Sequence, residues 1–400
     1  MTLPAPRRHA VVVGGGIGGL AVAAGLHRAG WTVTVLERAA EPREAGSGIS
    51  LLTNAQRALD QLGVGEAVRE RSATMIPGGE GLRRPSGRWL LKPLDPATFR
   101  SAGLSTLVLT RRELHGILRR ALPPGTLRTG AEVIAVNDVP DGVSATYRGP
   151  RGEEIIEGQA LIAADGAHST IRRLRWPLAP SPVYSGHSVW RGIAEVSGRG
   201  AEPGGNTWGL GLEFGRMPLP GDLVYWFAVA NTPAGARYAD NHEEVRNRFG
   251  GWHDPIPALV AATPALSVLH HDVIELAEPL GTYASGRVAL LGDAAHVMTS
   301  DLGQGACQAL EDAVVLCAEL AAAADPAEAL ARYDEQRRPR SQGIAAASHR
   351  MGQLKLEDRP MRARIRDATM RLTPRSSRSR GVVMVADWHP PELPVMQATT

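Results

Sequence analysis

The sequence is poor in cysteine and has no long apolar run. Cys307 and Cys317 are its only cysteines in 400 residues. On one predicted helix they would lie roughly 15 Å apart along the axis, which is too far for a disulfide. No run of about 18 apolar residues is present, which argues against a membrane span, and the N-terminus lacks the apolar region of a signal peptide. We therefore expect a cytoplasmic protein without disulfides and without a membrane as partner.

Lysine is also scarce. Lys92 and Lys355 are the only two, so arginine supplies nearly all of the 44 basic residues. The formal net charge is only +3, and the arginines are dispersed, which argues against a nucleic-acid partner. The exception is the stretch 362–380, "RARIRDATMRLTPRSSRSR", for which a solvated helix and loop is a simpler interpretation than a binding patch. No group of His and Cys has metal-ligand spacing, so we predict no metal site.

A glycine-rich turn near the N-terminus carries the strongest functional signal. The β-branched run "HAVVV" leads into Gly14-x-Gly16-x-x-Gly19, an alanine-rich helix follows, and a second strand ends on Glu37. Gly14 permits a tight turn, Gly16 lets the backbone approach a pyrophosphate, and Gly19 lets helix and strand pack closely. The helix N-terminus offers N–H groups to phosphates, and Glu37 can accept hydrogen bonds from a ribose diol. This order of elements predicts dinucleotide binding and leaves open whether the nucleotide is NAD or FAD.

Two later motifs would be surplus in a plain NAD dehydrogenase. In "ALIAADGAHSTIRR" an apolar strand ends on Asp165-Gly166, just before a helix. In "GRVALLGDAAHVMTSDLGQGACQALEDAVVL" a strand leads to Asp293, and Gly303-x-Gly305 then opens a long helix. A carboxylate at the carboxyl end of a strand lies where ligands of open α/β sheets bind. A helix N-terminus close by would offer N–H groups to an electron-rich group.

With these motifs in this order, the sequence resembles the single-component FAD-dependent aromatic hydroxylases of the para-hydroxybenzoate hydroxylase type. The resemblance rests on the glycine motif followed by Glu37-Arg38, on Asp165-Gly166, and on "GDAAH…GQG…EDA". A weaker match is "LTRRELHGIL", in which Arg111 looks like the start of the family's helix beside the flavin. The middle of the chain, including "VWRGIAEV" and "FGGWHDPI", is most similar to the urate-hydroxylase-like branch.

The resemblance implies a set of FAD contacts. The glycines would hold the pyrophosphate, Glu37 the adenosine ribose, Val133 the adenine and Asp293 the ribityl chain. The N–H groups near Leu302 and Gly303 would face the pyrimidine edge of the flavin ring, where a helix N-terminus stabilises anionic charge. The residues expected to bind the cofactor are Gly14, Gly16, Ile17, Gly19, Glu37, Arg38, Arg111, Val133, Asp165, Gly166, Asp293, Leu302, Gly303 and Gly305.

The resemblance also implies a reaction. NADH or NADPH would reduce FAD, and O₂ would form a flavin C4a-hydroperoxide that hydroxylates an aromatic or heteroaromatic small molecule. No second G-x-G-x-x-G is present, so the nicotinamide would bind transiently, and a Baeyer–Villiger enzyme is disfavoured. A halogenase would need a Trp-x-Trp-x-Ile-Pro stretch, which is absent. A flavin-dependent epoxidase or another oxidative tailoring enzyme of a natural product shares all the motifs and stays open as an alternative.

The sequence departs from the family where a substrate would lie. Most relatives have proline where Ser300 stands, and often another where Val297 stands, so Ser300 restores an N–H and adds a hydroxyl. Arg191, Tyr225 and Ser300 are the candidates for orienting the substrate during catalysis. Glu213 and Tyr225 are the candidates for binding it. Since Glu213 occupies the position of an arginine that engages urate in that branch, we expect repulsion of an anionic purine, and therefore a substrate other than urate.

The predicted fold is α/β, with a Rossmann-type FAD-binding domain built from discontinuous segments. A mixed β-sheet substrate domain would be inserted into it, and a helical region would follow at the C-terminus. Five of the eight tryptophans lie in or just before the inserted segment, where core packing is the default and a flat-ring pocket the alternative. A monomer or a homodimer is expected. The boundaries are 1–75, 100–178 and 279–350 for FAD binding, 76–99 and 179–278 for substrate binding, and 351–400 for the C-terminal helix and tail.

Overall fold

A computed structural model describes residues 8–41, 47–75, 81–196 and 204–394. The strands are β1 (His9–Val13), β2 (Thr32–Glu37), β3 (Gly48–Leu52), β4 (Ala73–Met75), β5 (Leu82–Arg83), β6 (Trp89–Leu91), β7 (Thr106–Thr110), β8 (Leu127–Thr129), β9 (Glu132–Val139), β10 (Gly142–Gly149), β11 (Gly152–Gly158), β12 (Ala160–Ala163), β13 (Pro182–Glu195), β14 (Gly205–Trp208), β15 (Leu212–Leu219), β16 (Leu223–Asn231), β17 (Leu269–Leu276), β18 (Ala284–Ser285) and β19 (Val288–Leu290).

The helices alternate with these strands and then dominate the C-terminal part. They are α1 (Ile17–Arg28), α2 (Thr53–Gln61), α3 (Gly65–Glu70), α4 (Pro96–Ser101), α5 (Arg111–Arg120), α6 (Thr170–Arg175), α7 (Asn241–Phe249), α8 (Ile256–Ala261), α9 (Asp293–His296), α10 (Gly305–Ala322), α11 (Pro326–Lys355), α12 (Pro360–Leu372) and α13 (Arg375–Ala386). Two short 3₁₀ helices are Ala265–Ser267 and Ser300–Leu302.

The first sheet is the predicted nucleotide-binding sheet. Its strand order is β18-β19-β12-β1-β2-β8, and all neighbours are parallel except β18 and β19. The β-branched run of β1 is completely buried at Ala10, Val11 and Val12, as expected for a parallel strand with helices on both faces. The carboxyl ends of β1, β12 and β19 share one edge, so the three motifs of the sequence lie together there.

The second large sheet lies between the nucleotide-binding segments in the chain. Its order is β17-β13-β16-β15-β14-β5-β6. One face is covered by α7 and α8, where Trp190 and Trp226 are fully buried. The other face packs against the small sheet β3-β7-β4 through Val108, Leu219 and Tyr225. The mixed α/β architecture with a C-terminal helical region is as predicted.

We propose the domain division predicted from the sequence as the organisation of the chain. The pairing of β5 with β14, and of β6 with β5, supports it, because these strands join the segment 76–99 to the inserted sheet. Among the described residues, no helix combines the length and apolar character needed to cross a bilayer.

Candidate active site

The glycine turn after β1 has the geometry of a phosphate cradle. Gly14 has φ 103°, and a Cβ there would collide with the carbonyl oxygen of Ala164. A Cβ at Gly19 would collide with the carbonyl oxygen of Gly14, whereas a Cβ at Gly16 would meet no atom within 4 Å. The first turn of α1 has neither a side-chain cap nor an acidic residue, so its N–H groups are left for an anion. The open space beside Gly16 fits a pyrophosphate.

Glu37 ties this turn to the end of β2. Its Oε2 accepts a hydrogen bond from the N–H of Gly15 at 2.7 Å, and its Oε1 accepts one from the N–H of Ala39 at 2.8 Å. Arg38, next in the chain, is exposed, and Val133 is buried in β9. Glu37 is therefore fixed beside the cradle, where its remaining lone pairs can accept from a ribose.

One carboxylate oxygen of Asp165 caps the next helix, and the other, Oδ1, is buried without a partner among the described residues. Its Oδ2 accepts from the N–H groups of Thr170 at 2.7 Å and Ile171 at 3.1 Å, and so caps α6 together with Ser169. Its neighbour Gly166 has φ 81°, a left-handed conformation that favours glycine. The Asp165-Gly166 motif thus shapes the end of β12, and within the motif Gly166, not the Asp165 side chain, lines the cavity described next.

One cavity of about 610 Å³ joins the cradle to the inserted sheet. Its size is within the range of small-molecule and cofactor sites, about 300–1,000 Å³. The predicted site residues that line it are Gly16, Ile17, Arg111, Gly166, Arg191, Glu213, Tyr225, Asp293, Ser300, Leu302, Gly303 and Gly305. The predicted residues that lie outside its wall are Gly14, Gly19, Glu37, Arg38, Val133 and Asp165.

The loop before α10 places its N–H groups differently from the expectation. The N–H of Leu302 donates to Ser348 Oγ at 3.3 Å, and the N–H of Gly303 donates to the carbonyl oxygen of Ser300 at 3.0 Å. Both predicted donors therefore have partners within the protein. The first turn of α10, which includes Gly305, has no side-chain cap and no acidic residue, so the N–H groups left for a ligand lie there.

A buried ionic network holds this loop against α11. Arg337 donates to Glu311 Oε2 at 2.5 Å and to Asp312 Oδ1 at 2.7 Å, and His296 Nε2 lies 2.6 Å from Asp312 Oδ2. Burial alone would raise the pKa of Asp312, but His296 and Arg337 bring it down to about 2. Asp312 also accepts from the N–H of Gly292 at 3.1 Å. The "EDA" motif and His296 therefore shape the loop after β19.

The inserted sheet presents a mixed wall to the cavity. Arg191 on β13 lies opposite Phe227 on β16. Tyr225 lies two residues before Phe227 on the same strand and therefore on the same face of the sheet. Burial raises the pKa of Tyr225, and a hydrogen bond from Arg191 partly offsets this effect. A Cβ at Gly48 would collide with the Tyr225 ring, so Gly48 makes the space that this ring occupies. The tryptophans do not line the cavity, and the default expectation of core packing is confirmed for Trp190 and Trp226.

Sequence reasoning missed Lys355, which also lines the cavity. Its Nζ donates to Glu213 Oε2 at 3.1 Å and to the carbonyl oxygen of Asp301 at 3.0 Å. Trp208 Nε1 donates to the other carboxylate oxygen of Glu213 at 3.1 Å. The acid that we expect to repel an anionic purine is therefore paired with a lysine, and a substrate other than urate stays a prediction. The only signal in the sequence was the scarcity of lysine, and a contact 142 residues away cannot be read from it.

The residues present fit FAD, and the comparisons with known proteins agree. The FAD binding domain family FAD_binding_3 matches residues 7–180 and 273–348, more than half of the chain. The aurachin C monooxygenase/isomerase of Stigmatella aurantiaca is 37% identical, over 90% of this chain and 93% of that protein. The 3-amino-4-hydroxybenzoate 2-monooxygenase PtnB3 of Streptomyces platensis is 35% identical, over 91% of this chain and 92% of that protein.

A solved structure supports the same assignment. The crystal structure of Klebsiella pneumoniae HpxO with FAD and uric acid superposes with a TM-score of 0.85 at 27% identity. The match covers 95% of this chain and 96% of that chain. The resemblance read from the motifs is confirmed, and FAD is the cofactor that the site is built to hold. The chain belongs to the family of FAD-dependent aromatic monooxygenases.

Proposed function

We propose that the protein uses NADH or NADPH and O₂ to hydroxylate a small aromatic or heteroaromatic molecule. One observation carries the proposal. A single cavity runs from the cradle at Gly16, past Asp293 and the start of α10, to the wall formed by Arg191 and Tyr225. A flavin along the first part and a flat substrate against the second part would share this space. Bound FAD would pass the electrons of NADH or NADPH to O₂ and so activate it.

Arg191 and Tyr225 are the residues that would orient the ring. Since burial raises the pKa of Tyr225, its hydroxyl stays protonated at neutral pH and acts as a hydrogen-bond donor, not as a base. The Arg191 guanidinium beside it is permanently charged. Both groups favour a substrate with an oxygen acceptor, such as a carbonyl, a carboxylate or a phenolate oxygen.

The start of α10 and the apolar wall would supply the remaining requirements. N–H groups of the first helical turn stabilise negative charge that develops on a bound group. Val189, Met217, Phe227 and Met298 also line the cavity, and their apolar side chains exclude water from the reacting ring. Ser300 is exposed to the cavity, and we propose that its hydroxyl contacts the substrate.

The charge balance of the cavity bears on the substrate class. Lys355 pairs with Glu213 and also lies 3.6 Å from Asp301 Oδ1, so one cation serves two acids. A substrate other than urate therefore stays our prediction, and urate belongs in the panel that tests it. Among the described residues, no carboxylate forms a salt bridge with the Arg191 guanidinium. An uncompensated cation fits a ring with a partly negative oxygen. The substrate panel should therefore contain urate, 3-amino-4-hydroxybenzoate, simple phenols and bicyclic heteroaromatics with a ring carbonyl.

Anaerobic reduction of the bound flavin tests the proposal. The holoenzyme is mixed with NADH or NADPH without oxygen, and bleaching of the flavin absorbance is followed with each acceptor of the panel. We expect one acceptor class to accelerate bleaching. In Tyr225→Phe, the half-saturating concentration of that acceptor should rise about tenfold, the factor for one lost hydrogen bond of about 1.4 kcal/mol.

The matched control is Tyr238→Phe. Tyr238 packs against Trp190 on the far face of the same sheet, so its loss should leave the response to the acceptor unchanged. Bleaching at one rate with every acceptor, or equal effects of the two tyrosine variants, would contradict the proposed substrate wall.

A further inference from the structure

The inner face of helix α12 combines polar contacts with the buried Ala363 and with Met370, which packs near Trp208. Arg366 is buried and donates to the carbonyl oxygens of Leu354 at 3.3 Å and Lys355 at 2.9 Å. Asp367 accepts from Arg84 Nη2 at 2.7 Å. The Arg366 guanidinium also lies 5.6 Å from the Trp208 ring centroid. This inner face fixes the helix against β5, β6 and β14.

The outer face of α12 is apolar. Met361 is 67% exposed, Ile365 is 62% exposed and Leu372 is 83% exposed. With the exposed Ala368 they follow a spacing of four, three and four residues, which places all of them on one stripe of a helix. An amphipathic helix of a soluble domain normally buries such a stripe. Here the stripe lies opposite the inner face and stays exposed.

Arginines lie along both edges of this stripe. At 100° per residue, Arg362 falls on one side of it, and Arg364 and Arg371 fall on the other. All three are exposed. Within the part of the chain that the structure describes, neither Arg364 nor Arg371 has a carboxylate within 4.0 Å. Among the described residues, the edge formed by Arg364 and Arg371 therefore carries positive charge without an ion-pair partner, and Arg362 adds a cation on the other edge, near Glu357.

We propose that α12 binds the surface of an anionic phospholipid bilayer. An apolar stripe between basic residues is the pattern of a helix that lies in the membrane interface, with its apolar side chains among the acyl chains and its cations at the phosphates. This surface contact needs no spanning helix, and it revises the expectation that a membrane is not a partner. It does not depend on the proposed substrate class.

Two other occupants fit the surface less well. A second copy of the chain would bring the same arginines against each other, which opposes self-association through this face. Three large side chains expose roughly 300–400 Å² of apolar surface, which is below the ~800 Å² per partner of a stable protein interface. Binding to an anionic bilayer does not require an apolar contact of ~800 Å², because each basic residue adds electrostatic attraction to the lipid phosphates.

Co-sedimentation of the FAD-loaded, full-length protein with vesicles tests the proposal. One set of vesicles is phosphatidylcholine alone, and the other is phosphatidylcholine with phosphatidylglycerol. Binding to the anionic set only, weakened by added salt, is the expected result. The triple variant Arg362→Gln/Arg364→Gln/Arg371→Gln should bind roughly 100-fold more weakly. The triple variant Met361→Gln/Ile365→Gln/Leu372→Gln should lose binding as well.

The control removes as many exposed apolar side chains elsewhere. Ile155, Leu178 and Leu266 are 70%, 97% and 102% exposed at scattered positions, so replacing all three with Gln should leave vesicle binding intact. FAD content and size-exclusion volume are measured for every variant. The proposal is overturned if the wild type does not bind anionic vesicles, or if the control loses binding equally. A dimer that the α12 variants dissociate would also overturn it and assign the face to a second copy.

Discussion

Replacing Lys355 with methionine should destabilise the folded protein by about 3–5 kcal/mol, because it leaves a buried carboxylate without its cation. The Glu213 side chain is 2% exposed and the Lys355 side chain is 11% exposed, with Nζ 3.1 Å from Oε2. At that distance, the attraction between unit charges is about 5 kcal/mol for an effective dielectric constant of about 20. The same Nζ lies 3.6 Å from Asp301 Oδ1, so two buried acids lose one partner.

The prediction is checked by thermal unfolding of the FAD-loaded protein. For 400 residues, 3–5 kcal/mol corresponds to a fall in Tm of about 4–6 °C.

Two further variants isolate the ion pair. Adding Glu213→Gln to Lys355→Met removes one of the two stranded charges, so the double variant should recover part of the lost stability. Lys92→Met is the matched control, because Lys92 is the other lysine and is exposed. A fall in Tm no larger than that of Lys92→Met, or no recovery in the double variant, would refute the reasoning.

Three other predictions concern single positions. Gly16→Ala should leave the stability of the apoprotein unchanged, since nothing lies within 4 Å of the added Cβ. It should weaken FAD binding at least tenfold in a fluorescence titration. An unchanged affinity for FAD would contradict the assignment of the glycine turn as a phosphate cradle. Gly48→Ala should displace the Tyr225 ring and slow acceptor-stimulated flavin reduction about tenfold, while the FAD content stays the same. The control Gly343→Ala, whose added Cβ would have no neighbour within 4 Å, should leave the rate of flavin reduction unchanged. Burial raises the pKa of Cys307 to about 12 and that of Cys317 further. Neither thiol should therefore react with a thiol reagent at pH 8 until the protein unfolds. Rapid labelling of the native protein would show that the reagent reaches the core around α10.

The parts of the fold that the sequence predicted depend on local patterns. The glycine turn, the strands before it and the start of α10 each follow from residues close together in the chain. Gly14 and Gly19 are needed because backbone atoms approach them, and this requirement appears directly as glycine. The carboxyl ends of parallel strands share an edge, so the meeting of the three motifs was predictable as well.

The parts that the sequence did not predict depend on contacts between distant residues. The pairing of Lys355 with Glu213 joins the end of α11 to β15. The local sequence around neither residue predicts this contact. Cofactor binding by Asp165 stays a prediction, but the capping of α6 by its Oδ2 was not foreseen. The outward apolar face of α12 was not visible either, since periodicity identifies a stripe and does not say which side packs against the protein.

The most direct test of the central claim is the origin of the oxygen atom in the product. The acceptor that accelerates flavin reduction is incubated with the enzyme, NADH or NADPH and ¹⁸O₂, and the product is analysed by mass spectrometry. We predict that one ¹⁸O atom enters each product molecule, and that Tyr225→Phe forms less labelled product per NAD(P)H consumed. A product without ¹⁸O, or one that takes its oxygen from ¹⁸O-labelled water, would contradict the assignment of this cavity to aromatic hydroxylation.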